Sequence, residues 1–97
     1  MKKATIAAQA LHLQHIPNIG PAMVKDFDLL GIRQCIDLVG KNPYALYEQL
    51  CELTATRDDP CVIDTFISAV RFMEGAPALP WWHYTEERKK TLSMRTK

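Results

Sequence analysis

Side chains able to do chemistry are sparse in this chain, and few of them stand in a pattern that a reaction uses. His12 and His15 lie three residues apart, which could offer two metal ligands on one helical face. Zinc needs more ligands than that and no further one follows nearby, so no metal site is expected. Cys35, Cys51 and Cys61 are an odd number at wide spacing with no C-x-x-C pair. They read as buried free thiols rather than a disulfide framework or a zinc ribbon. No glycine-rich phosphate loop and no serine or cysteine nucleophile with a spaced histidine partner occurs. A non-enzyme is expected, with no small-molecule substrate.

The main chain offers more than the side chains do. Pro17-Asn18-Ile19-Gly20 interrupts two apolar patterns and reads as a tight turn over residues 16–21 between two helices. Pro17 stops the incoming helix because it lacks an N–H and restrains the residue before it. Asn18 tolerates a left-handed backbone, Gly20 takes any backbone, and Ile19 can pin the turn to the core. Pro21 suits the first position of the next helix. Amides of Asn18, Ile19, Gly20 and Ala22 then gather at a helix N-terminus, where an anion is favoured, and Lys25 is the first cation beyond them.

These groups must be held by the rest of the chain. Ile6, Ala10 and Leu13 recur at offsets of four and three, so residues 5–15 read as a core-facing helix, and residues 1–4 read as loose. A second helix over 21–30 turns Met23, Phe27 and Leu30 inward and stops at Gly31. The run 33–39 contributes Ile36 and Leu38. Asn42-Pro43 is a cap with proline at the first helical position and opens a helix carrying Leu46, Leu50 and Leu53, flanked by Tyr44 and Tyr47. Residues 54–58 are a polar loop. Asp59-Pro60 repeats the device and opens the longest helix, to about Glu74, with Ile63, Phe66, Ile67, Val70 and Met73 on one face. After the strap 76–80, Trp81 and Trp82 read either as a stacking platform for bases or as a plug in which one ring covers the core. Thr85 caps a last helix, with Arg88, Lys89 and Lys90 as secondary basic contacts, and 91–97 is a loose basic tail. The sum is one all-α domain over residues 1–97, a compact bundle of five to six short helices.

The run Leu13-x-x-Ile16-Pro17-Asn18-Ile19-Gly20-Pro21-Ala22-Met23-Val24, with Leu30-Gly31-Ile32 and Cys35-Ile36-Asp37-Leu38 after it, resembles the helix-hairpin-helix motif. Asn42 to Cys51, Asp59 to Asp64, Val70 to Gly75 and Pro80-Trp81-Trp82 are similar to a family of small bacterial pathogenicity-locus proteins, some of them labelled mitomycin resistance proteins. A related arrangement resembles the C-terminal domain of bacterial competence regulators. The resemblance spans roughly residues 11 to 90 and implies a hairpin whose amides grip a DNA phosphate without regard to sequence. It also implies that hairpin carbonyls can hold a monovalent cation; no other cofactor is expected. Asn18 stands where the family usually has glycine.

Charge sets the scale of that binding. The formal net charge is +1, with an acidic middle (three Lys or Arg against six acids over 41–80) and a basic end (five against two over 81–97). A domain built chiefly for nucleic acid is more basic, so contact with DNA should sit at or beyond the weak end of about 10⁻⁴ to 10⁻⁶ M. The alternative is protein contact or self-association on the same scaffold, with no direct DNA contact. No apolar run is long enough to cross a bilayer and no signal-peptide core follows Met1; a cytoplasmic protein with no membrane partner is the expectation.

Overall fold

The computed structural model describes residues 3–95, and every regular element among them is helical. In chain order these are a 3-10 turn Ala7–Gln9, a second at Leu13–His15, α1 (Pro21–Leu29), a third turn Cys35–Leu38, α2 (Pro43–Thr54), α3 (Cys61–Met73), a fourth turn Trp81–Tyr84 and α4 (Thr85–Arg95). The all-α class is as expected. None of the described helices is long and apolar enough to cross a membrane.

Helix α3 is the spine. Every residue from Ile63 to Val70 is buried, and Phe72 with them, because α2, α4 and the turns Cys35–Leu38 and Trp81–Tyr84 all pack on it. A helix covered on every side is a core helix. Asp59 opens it, its Oδ1 accepting the Cys61 N–H at 2.8 Å, and Gly75 closes it at φ +110°, a conformation only glycine adopts freely. Helix α2 starts as read: Asn42 Oδ1 accepts from the N–H groups of Tyr44 and Ala45 at 2.9 and 3.3 Å, ahead of Pro43. Leu46 and Leu50 are buried, joined by Tyr47 and Cys51. Leu53 is not: the buried face lies between Tyr47 and Leu50, which leaves Leu53 at its exposed edge. The helix ends on Ala55 in the left-handed region, φ 55°.

Four other expectations are corrected. The helix over residues 5–15 is replaced by the two 3-10 turns: the His15 side chain takes two amides a helix would use, and Gln9 folds back on the start of the segment. Gln9 Oε1 accepts from Thr5 N–H and Oγ1–H, and His15 Nδ1 accepts from Leu11 and His12 N–H, both at 3.1 Å. The segment folds back until Ala4 N–H donates to His15 O at 2.7 Å; the ends of a straight helix over this span would stand about 15 Å apart. Ala4 is thus buried and the N-terminus is tied down from Lys3 onward, while Met1 and Lys2 lie outside the described residues. In the turn Cys35–Leu38, Leu38 is buried but Ile36 is exposed, and Cys35 is buried instead. Residues three apart share one side of a 3-10 turn, which pairs Cys35 with Leu38. Finally, residues 91–95 of the expected loose tail continue α4, and residues 96–97 lie outside the described residues.

Helix α4 is docked by a buried ion pair that periodicity does not reveal. Asp64, fully buried in α3, accepts from Arg88 Nε at 2.9 Å and from Thr85 Oγ1–H at 2.7 Å. The Thr85 hydroxyl therefore serves α3 rather than capping α4.

Candidate phosphate-binding hairpin

Ile16 and Ile19 are fully buried on either side of Pro17 and Asn18. They plug the turn into the core beside Phe27 of α1, whose ring stacks on Phe66 of α3 with centroids 5.4 Å apart. Asn18 takes the left-handed conformation, φ 73°, as its residue type suggested. Its side chain does something unforeseen: Nδ2 donates to Ser68 Oγ at 2.8 Å and to Leu79 O at 2.9 Å. One amide thereby fastens the turn both to α3 and to the strap that follows it.

The amides divide into used and open. Ile19 N–H donates to Ile16 O at 3.2 Å, inside the turn, and Val24 N–H donates to Gly20 O at 3.1 Å. Gly20, Ala22 and Met23 N–H have no acceptor among the described residues, as the first turn of a helix dictates. Pro21, between them, has no N–H to orphan. Of the residues expected to hold phosphate, Gly20 and Ala22 present free amides and Lys25 is exposed. Ile19 has spent its amide on the turn; the Asn18 N–H also has no acceptor among the described residues, while its side chain is turned inward. Met23 was missed, although as the third residue of α1 its N–H was an orphan by position alone.

Gly20 itself has an ordinary backbone, φ −106° and ψ −177°, which any residue adopts. A Cβ built on it meets no atom within 4 Å. The fold does not require glycine here, and the position a side chain would take is open.

Lys3 joins the turn from outside it. Its Nζ donates to Gln14 O at 2.6 Å and also to Ile19 O, and partial burial draws its pKa below the usual lysine value. The contact bridges sixteen residues of chain, a distance at which no local pattern signals it. With no acid in the first turn of α1, the α1 N-terminus carries the helix dipole and two lysines without a nearby counter-charge on its own turn.

The remaining candidates scatter. Arg88 is turned into the interior by Asp64, its side chain only 11% exposed, and that pairing holds its pKa above the usual arginine value. It is thus withdrawn from the basic contacts expected on α4, while Lys89 and Lys90 are exposed. Trp81 is half-buried and Trp82 exposed, their rings edge to face; Tyr84 fills the core at the place where a tryptophan plug was expected. His15 is occupied as an acceptor for the turn before the hairpin. Among the described residues no three His, Cys, Asp or Glu side chains gather as a metal site would need.

Residues 6–90 match the family described as Cdd1, pathogenicity locus. Over 81 residues the chain is 42% identical to the mitomycin resistance protein McrB of Streptomyces lavendulae, a match covering 84% of this chain and 77% of that protein. No solved structure matches.

Proposed function

This chain belongs to the Cdd1 pathogenicity-locus family, and on that premise we propose that it is a non-enzymatic, cytoplasmic helix-hairpin-helix module that binds the DNA backbone weakly and without sequence specificity. One phosphate oxygen group is held by the N–H groups of Gly20, Ala22 and Met23, with Lys25 alongside. The observation that carries the reading is Gly20: a glycine in an ordinary backbone conformation, with an unpartnered amide and room for a side chain that the sequence leaves unfilled. Lys3 adds a second positive charge through the Ile19 carbonyl. A monovalent cation at this hairpin would have to share that carbonyl with the Lys3 ammonium.

The test is fluorescence anisotropy with a short random-sequence duplex and its single strand, at low and physiological salt. Wild type is expected to bind the duplex near the weak end of the non-specific range, about 10⁻⁴ M at physiological salt, and more tightly as salt falls. Gly20→Ala should fold and melt like wild type and yet bind about tenfold more weakly, because the added methyl group fills the approach to the amides. Lys25→Gln and Lys3→Met should each make the salt dependence shallower. Wild type that shows no salt-dependent binding would defeat the reading and leave protein contact as the use of this scaffold.

A further inference from the structure

The tryptophan pair of the turn Trp81–Tyr84 takes no part in the hairpin's grip on phosphate, yet the fold ties it to the hairpin. Asn18 Nδ2 donates to Leu79 O at 2.9 Å. Trp82 follows Leu79 by three residues and Gly20 follows Asn18 by two, so at about 3.8 Å or less per residue the ring stands within a few nucleotides' reach of the open amides. The turn that carries it is firm. Pro80 enters in an extended conformation, φ −66° and ψ 152°, His83 N–H closes on Pro80 O at 3.0 Å, and Tyr84 is buried in the core. Residues three apart share one side of a 3-10 turn, so Trp81 is drawn in with Tyr84 and Trp82 is turned out. Trp82 is 63% exposed, braced edge to face by Trp81 with centroids 5.5 Å apart. Tryptophan is on average a well-buried residue.

From this we infer, resting on the phosphate reading above, that the DNA this site takes is single-stranded: the strand places a phosphate on the Gly20, Ala22 and Met23 amides and lays a nearby unpaired base on the Trp82 ring. Position and charge both select that occupant. The ring is hung from the same Asn18 clamp that fixes the hairpin, so a strand gripped at one passes close to the other. Around it the surface is nearly balanced in charge, with Lys89 and Lys90 exposed beside an exposed Glu86 on the helix that runs on from the turn. Such a surface suits an uncharged flat ring better than a second phosphate. Every base has that face, so stacking tolerates any sequence, in keeping with a grip on the backbone alone. A duplex cannot offer it, because its bases are paired and stacked and freeing one costs energy.

The test compares three ligands by fluorescence anisotropy on the full chain: a short single strand, the matching duplex, and a strand of the same length made of abasic residues. Wild type should bind the single strand about tenfold more tightly than either of the others. Trp82→Ala, whose fold circular dichroism should show intact because the ring is exposed, should lose that advantage, and Trp82→Phe should keep most of it. Stacking is not a charge effect, so the loss in Trp82→Ala should be as large at physiological salt as at low salt, whereas Lys25→Gln flattens the salt dependence. Salt-dependent duplex binding without preference for the single strand overturns the inference and leaves the phosphate reading standing. A preference that survives Trp82→Ala, or that the abasic strand shares, does the same. Absence of salt-dependent binding to all three ligands overturns the phosphate reading, and this inference with it.

Discussion

The half of the molecule around α3 and the half around the hairpin are built differently. In α3, a continuous run from Ile63 to Val70 is out of solvent, and even its one carboxylate is matched by Arg88 and Thr85. In α1, Phe27 is the buried residue, and the segment leading into it is two 3-10 turns held by side chains and by Lys3. Regular burial sets the stability of the first half. The second is mounted on the first by a few specific contacts: Ile16, Ile19, the stack of Phe27 on Phe66, and the Asn18 amide. A turn that leaves amides unpaired cannot stabilise itself, so it borrows a rigid neighbour.

The contrast can be broken most severely at Asp64. Asp64→Ala leaves Arg88 without its partner in a mostly buried position and should lower unfolding free energy by about 3–5 kcal/mol, read by urea titration. Asp64→Leu with Arg88→Met should recover most of that loss, since a buried ion pair often does little better than a well-packed apolar one. If Asp64→Ala is mild, α4 does not depend on the scaffold and the division drawn above is wrong.

Asn18 tests the mounting. Asn18→Gly keeps the left-handed backbone but removes two donors and strands Ser68 Oγ, at about 1–3 kcal/mol; Asn18→Ala should be worse than glycine by about 1 kcal/mol because alanine resists that conformation. Native-state hydrogen exchange should show Ile19 and Val24 losing protection in both variants while α3 amides keep theirs. Loss spread evenly over the chain would mean that the halves unfold as one.

Two smaller effects lie at the joins. Ala55 ends α2 with φ 55° while exposed, and Ala55→Gly should stabilise by about 0.5–1 kcal/mol, measured as a raised melting temperature. Asp26 of α1 is pushed above the usual carboxylate range, chiefly by burial and then by the charge of Asp58. Its ionised form is therefore a strain on the native state, fully present at neutral pH and relieved as pH falls through the raised value toward the ordinary one. Asp26→Asn should be slightly more stable than wild type at pH 7, with the difference closing in mild acid.

Legibility in the sequence follows the same division. α2, α3 and the start of α1 were readable because cap, proline and apolar period agreed in each, as at Asn42-Pro43 and Asp59-Pro60. Residues 5–15 were misread because alanine and leucine at helical offsets are a signal only when backbone amides are free to make the helix. His15 had claimed those of Leu11 and His12. The hairpin's position was legible from Pro17 to Pro21, as were the open amides of Gly20 and Ala22. Lys3, the inward turn of Arg88 and the grip of Asn18 on Ser68 were not, because each depends on two residues far apart in sequence, and no periodicity carries such a contact.

The Asn18 clamp also sets a rule for how this fold can drift among relatives. Its partner at position 68 is a side-chain hydroxyl, whereas its partner at position 79 is a main-chain carbonyl that every residue type supplies. Chains that keep asparagine at 18 are therefore constrained at 68 and free at 79. Where glycine replaces the asparagine, the demand for a hydroxyl at 68 disappears, and positions 18 and 68 should change together across the lineage.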